Sequence, residues 1–129
     1  MSYSQTIIVG NVGKDAEMRY TPAGQAVTTF SVAVNRSYTA NSGEKVKETS
    51  WYRVEAWGKS AEVCAQYVKQ GAQVLVQGRL KPDPETGGPR VWTDKQGNAR
   101  ASFELQADQV RFLSKTEARE QSQEFSGDF

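Results

Sequence analysis

Apolar and polar residues alternate with a period of two along most of this chain, the spacing of strands that bury one face. The clearest run is Ala26 to Tyr38, where Phe30, Val32 and Val34 share one face and Thr29, Ser31, Ala33 and Asn35 the other. Similar stretches rich in β-branched and aromatic residues predict strands over about Tyr3 to Val12, Thr49 to Gly58 and Gln73 to Leu80, and a last pair over Val91 to Asp94 and Ala99 to Leu113. A short extended piece covers Glu17 to Tyr20, and Pro22-Ala23-Gly24 and Lys95-Gln96-Gly97-Asn98 supply turns. Thr39 to Glu48, with Asn41-Ser42-Gly43 and two lysines, reads as a loop, as does the Pro- and Gly-rich segment Lys81 to Arg90.

Two departures from the two-residue period are informative. Ala61, Cys64, Ala65 and Val68 recur at helical spacing, with Ser60 near the start and Gly71 beyond the end, which predicts a short amphipathic helix over Lys59 to Gln70. In the last strand Phe103, Leu105 and Ala107 have one parity and Val110 and Phe112 the other, so a bulge or bend is expected near Asp108. The order β-β-β-α-β-β fits a small closed barrel better than a sandwich. The predicted fold is therefore mainly β, a five-stranded OB-fold barrel with one short helix between strands 3 and 4. Residues 1–113 form the expected OB-fold domain, and residues 114–129, which lack a core-forming pattern, the expected flexible tail.

Composition narrows the chemistry. At 129 residues the chain has room for about one domain. It has no histidine, which removes Ser/His and Cys/His catalysis and the commonest zinc ligand. One cysteine, Cys64, permits neither an intrachain disulfide nor a thiolate cluster and suits a reducing compartment. No apolar run approaches the roughly 20 residues of a membrane helix, and no secretory segment is evident, so a cytoplasmic protein without membrane partners is expected. No dinucleotide fingerprint occurs, and no cofactor or metal is expected. The net charge of +1 is uneven: residues 1–113 hold 14 basic and 11 acidic side chains, residues 114–129 hold 2 and 4.

The third strand carries the candidate chemistry. Alternation puts Trp51, Arg53, Glu55 and Trp57 on one face and Tyr52, Val54 and Ala56 on the other. Burying the second face costs no charge, whereas burying the first would desolvate Arg53 and Glu55, so the tryptophans are expected to face solvent. Flat rings on a rigid sheet with cations between them suit unpaired nucleobases, the rings stacking on base faces and the cations holding phosphates. Tyr38 and Trp92 are candidates to extend the platform. Lys14, Arg19, Arg36, Lys45, Lys47, Arg53, Lys59, Arg79 and Arg90 are candidate phosphate contacts. Plainer readings stand beside these: a strand tryptophan also serves as core or subunit contact, and Lys45 and Lys47, next to Glu44 and Glu48, also fit a merely solvated loop. Gly10-Asn11-Val12-Gly13-Lys14 lacks phosphate-loop spacing and reads as a strand-end turn, and Cys64 fits the buried side of the helix. A protein-interaction module using the same aromatic face is the first rival. A carboxylate-metal nuclease using Asp15, Glu17 and Glu55 is the second, though these acids lack metal-site spacing.

Several ordered motifs, from Val9-Gly10-Asn11-Val12-Gly13-Lys14-Asp15 through Arg19-Tyr20-Thr21-Pro22 to Ser50-Trp51-Tyr52-Arg53-Val54, Trp57-Gly58-Lys59-Ser60-Ala61-Glu62, Gln77-Gly78-Arg79-Leu80 and Trp92-Thr93-Asp94, closely resemble the bacterial single-stranded DNA-binding proteins. The resemblance spans about residues 3–113. It implies an OB-fold protomer, usually in a homotetramer, that wraps and protects single-stranded DNA without sequence preference during replication, recombination and repair, with no enzymatic activity. It places the stacking aromatics on Tyr38, Trp51, Trp57 and Trp92. Two departures are visible. Lys81 to Arg90 is longer than the family's usual connection, and the chain ends Glu124-Phe125-Ser126-Gly127-Asp128-Phe129 without the family's acid run and proline. By the same resemblance the protein is expected to be nucleoid-associated, and Asp128, the Phe129 ring and the α-carboxylate are expected to keep the chemistry for docking replication and repair proteins through a basic, apolar pocket.

Overall fold

The computed structural model describes residues 1–113. Along the chain run β1 (Thr6–Val12), β2 (Glu17–Tyr20), β3 (Ala26–Thr39), β4 (Lys45–Trp57), α1 (Lys59–Tyr67), β5 (Gln73–Leu80), β6 (Arg90–Thr93) and β7 (Ala99–Phe112). The strands pair in the order β1-β5-β7-β4-β3-β2, and β1 returns to β3 through Asn11↔Ala33 and Val12↔Val32, which closes the barrel. β4 and β7 are parallel and the other pairs antiparallel. The barrel proper is β1, β3, β4, β5 and β7, with α1 between its third and fourth strands, as expected from the element order. β2 and β6 are short ribbons laid on β3 and β7.

Inside lie the apolar halves of the alternating runs: Ile8, Val12, Phe30, Val32, Val54, Ala56, Val74, Val76, Leu105, Val110 and Phe112. Helix α1 closes one end of this core with Cys64, and Val68, just beyond its last turn, completes the plug. Buried Thr28 donates its hydroxyl to the Ala61 carbonyl and so anchors α1 to β3. The helix ends at Tyr67 rather than at Gln70, because Val68 is already extended.

The parity slip in the last strand is a bulge. Gln77 pairs with Gln109 and Gly78 with Ala107, leaving Asp108 unpaired in between and exposed. A side chain at Gly78 would have its Cβ 2.0 Å from the Gln106 carbonyl oxygen, so only glycine permits the close backbone approach at this corner.

One predicted loop, Thr39 to Glu48, is half strand. β3 and β4 stay paired out to Tyr38↔Val46 and Thr39↔Lys45, and only residues 40–44 turn, with Ala40 N–H bonded to the Glu44 carbonyl and Gly43 at φ 87°. This ribbon projects beyond the barrel with both faces largely exposed, so it shows no hydrophobic alternation even though its backbone remains paired. At the start of the chain, residues 3–5 likewise lie outside β1.

Candidate nucleic-acid interface

Register, rather than proximity in sequence, assembles the site. Residues opposite one another in neighbouring strands share a face. Along β4 that face carries Lys45, Lys47, Thr49, Trp51, Arg53, Glu55 and Trp57, matched on β3 by Thr39, Ser37, Asn35, Ala33, Ser31, Thr29 and Val27. The parallel pairing Arg53↔Glu104 continues the face onto β7, and Arg90↔Ser102 and Trp92↔Arg100 continue it onto β6. The three tryptophans therefore occupy one side of one curved sheet. Trp51 and Trp57, six positions apart on one strand, are separated by roughly 20 Å along it.

Trp51 is 54% exposed, and its ring lies over the turn after β1, where a Cβ on Gly13 would sit 2.7 Å from its Cζ3. A glycine at this turn thus lets the indole lie flat and open. Trp57 is partly exposed, flanked across the ladder by Val27 and then by Arg19 of β2. Trp92 donates its indole N–H to Ser102 Oγ at 3.2 Å and has the Arg90 guanidinium 5.8 Å from its ring centre, so two contacts fix its orientation. The turn joining β6 to β7 is built on Asp94. Its carboxylate accepts backbone N–H bonds from Asn98 and Gln96 and pairs with Arg100 at 2.9 Å, which lowers its pKa below the ordinary carboxylate range.

The interior of the face corrects one expectation. Glu55 projects on the tryptophan side, as alternation requires, yet it is only 5% exposed, and Glu104 beside it only 9%. The cations that cover them make this possible. Arg53 Nη1 lies 3.7 Å from Glu55 and 3.4 Å from Glu104, Lys81 Nζ 3.5 Å from Glu55, and Arg90 Nε 3.3 Å from Glu104. Lys81 begins the long connection between β5 and β6 and Arg90 is the strand residue that receives it, and Lys81 N–H also bonds the Glu104 carbonyl. The connection is strapped to the sheet at both ends, and Leu80, Pro82, Pro89 and Phe103 help line a hollow of about 310 Å³ beneath it.

The other candidates divide by position. Lys45 and Lys47 continue the Trp51 face towards the ribbon tip, Arg19 adjoins Trp57, and Lys14 lines a cleft of about 150 Å³ with Arg53. Lys59 opens α1 two residues after Trp57. Arg79 lies on the same sheet face through Gln106, one strand beyond β7. Tyr38 and Arg36 do not join this face. Paired with Val46 and Glu48, they lie on the opposite side of the ribbon, the Arg36 guanidinium 5.6 Å from the Tyr38 ring centre. Asp128 and Phe129 lie outside the described residues. Two cations of the face escaped the sequence reading, Lys81 and Arg100; the Lys95 to Asn98 turn already implies that Arg100 opposes Trp92, whereas nothing local marks Lys81. Among the described residues no group of three or more carboxylate or thiol side chains is placed to hold a metal ion. Nor is any described helix long and apolar enough to cross a membrane.

Residues 3–113 match the model of the single-strand binding protein family. The chain belongs to that family. Relatives include the single-stranded DNA-binding proteins of two Neisseria meningitidis strains, serogroup A (serotype 4A, Z2491) and serogroup B (MC58), each 33% identical over 113 residues, which are 88% of this chain and 61% of the relative. The chain thus spans about three fifths of the length of these relatives. Among solved structures, a Plasmodium falciparum SSB complex with ssDNA superimposes with a TM-score of 0.69 at 24% identity, covering 88% of this chain and 97% of that one, which supports the barrel fold. For this family member the match covers the whole barrel, including every aromatic of the candidate face.

Proposed function

We propose that this chain binds single-stranded DNA without sequence preference, as a non-catalytic protein that covers unpaired strands during replication, recombination and repair. The observation that carries the reading is the placement of Trp51, Trp57 and Trp92 on one open sheet face, with Lys45, Lys47, Lys14 and Arg19 around them. Indoles held on strands present flat surfaces to any base, each stacked base contributing about 1–3 kcal/mol, and the surrounding cations hold the phosphates. Duplex DNA offers no exposed base faces and is bound far more weakly. Membership of the single-strand binding family supports the same reading. The test is quenching of tryptophan fluorescence on titration with oligothymidine. Saturable quenching that duplex of equal length fails to reproduce is expected; no quenching, or equal affinity for duplex, refutes it.

The assembled form is proposed to be a homotetramer. Ile7 and Val9, 57% and 42% exposed, face away from the core beside Leu75, and Thr6 to Gly10 pair only with β5, leaving a free strand edge next to an apolar surface. Light scattering is expected to give four protomers, and Val9→Arg to reduce that number; a monomeric wild-type chain removes this part. Docking of replication and repair proteins through Asp128 and Phe129 is tested by deleting residues 114–129 and following partner capture alongside oligothymidine binding.

A further inference from the structure

We propose that Glu55 and Glu104 mask cations of the tryptophan face, holding Arg53, Lys81 and Arg90 in internal ion pairs from which a DNA phosphate must displace them. The inference rests on the single-stranded DNA-binding reading above.

Two features of the geometry lead to it. The carboxylates are nearly sealed, at 6% and 10% side-chain exposure, whereas Arg53, Lys81 and Arg90 remain 38%, 50% and 48% exposed. Each cation thus has one side on a buried carboxylate and another open to solvent. The separations of 3.3 to 3.7 Å are ion-pair contacts rather than tight charge-assisted hydrogen bonds, and the open side of each cation is where a phosphate reaches it. By contrast Lys14, Arg19, Lys45 and Lys47 make no ion pair among the described residues, and a phosphate meets their full charge. A phosphate taking Lys81 strips Glu55 of a partner in a site with little water, and that cost offsets much of the gain. The three cations nearest the centre of the face therefore contribute less to affinity than their position suggests. The two carboxylates set how tightly the strand is held and how readily it leaves.

Salt dependence separates masking from a purely structural role. Each fully available cation that meets a phosphate of single-stranded DNA steepens the plot of log affinity against log salt by about 0.7. Glu55→Gln preserves volume and an oxygen acceptor while removing the charge that holds Lys81; Arg53, which also touches Glu55, keeps its shorter contact with Glu104. The expected result is a slope steeper by about 0.7 for oligothymidine, hence affinity about fivefold above wild type at 0.1 M salt and converging with it near 1 M. Adding Lys81→Met to Glu55→Gln is expected to return the slope to the wild-type value. Glu104→Gln, which releases Arg90 and leaves Arg53 paired to Glu55 alone, is expected to change the slope in the same direction, and Glu55→Gln carries the test if that variant fails to fold. Glu62→Gln, an equal change in net charge on the exposed side of α1, is expected to leave the slope unchanged. If the wild-type chain binds and the plots of both glutamine variants run parallel to or below its own, masking is overturned while the binding reading stands. If the wild-type chain does not bind, both are overturned.

Discussion

Replacing Trp51 with alanine removes the most exposed indole of the candidate face, and the structure indicates what the change does to folding and to binding. Its exposure of 54% leaves somewhat less than half of the residue's surface removed from water, roughly 110 Å² of mainly apolar area for a side chain of this size. At about 25 cal/mol per Å² that is nearly 3 kcal/mol, and a realistic unfolded chain already buries part of it, so the destabilisation is about 2 kcal/mol. A domain of this size usually holds about 5–15 kcal/mol in reserve, and the variant stays folded. Its binding loss is then readable: one stacked base costs about 1–3 kcal/mol, or roughly 5- to 150-fold in affinity. Anisotropy of a labelled oligothymidine, with thermal melting as the check on folding, measures both. Trp51→Phe, which keeps a ring, is expected to lose far less. A folded Trp51→Ala chain that binds within twofold of wild type refutes the stacking argument, and loss of a protein partner instead of DNA points to an interaction module.

Three further outcomes follow from the same geometry. Gly13→Ala places a Cβ 2.7 Å from Trp51 Cζ3 and must lift the indole from its seat, so oligothymidine affinity is expected to fall severalfold with little change in melting temperature; unchanged affinity shows that the ring's seat is irrelevant. Because the Asp94 pKa is depressed in the folded chain, its stabilisation of the β6–β7 turn is complete above the ordinary carboxylate range and lost as pH falls through the folded value. Amide exchange at Gln96 and Asn98, corrected for the intrinsic pH dependence, is expected to lose protection on acidification in wild type and not in Asp94→Asn, and identical profiles reject the assignment. Burial leaves Cys64 1% exposed and pushes its thiol up to about 12, so disulfide reagents at pH 8 are expected to label it only on unfolding; rapid labelling of native protein contradicts the core placement.

Much of this molecule was legible in local periodicity because the barrel is built from strands with one wet and one dry face. The outward turn of Trp51 and Trp57, the inward turn of Val54 and Ala56, the helix from Lys59 and the bulge at Asp108 are all consequences of which neighbour two or four positions away is apolar. Motif order along residues 3–113 likewise identified the family, since spacing between motifs is a property of the chain alone. The β4 arm of the ribbon, Lys45 to Glu48, was missed for the converse reason: a strand with both faces in water carries no hydrophobic signature, and backbone pairing that continues past the core leaves no trace in composition.

Which charges meet was decided only by the tertiary structure. Glu55 alternates outward, as its position demands, but its burial depends on Arg53 beside it and on Lys81, 26 residues further on, and Glu104 depends on Arg53 through a parallel register that joins distant parts of the chain. The placement of Tyr38 across the ribbon from Trp51 is likewise a matter of register, since parity orders the residues within one strand and pairing decides how two strands share a face. Alternation is a short-range property of the polymer and can be read residue by residue. Burial of a carboxylate is a long-range property, because the cation that makes it tolerable is brought in by closure of the barrel.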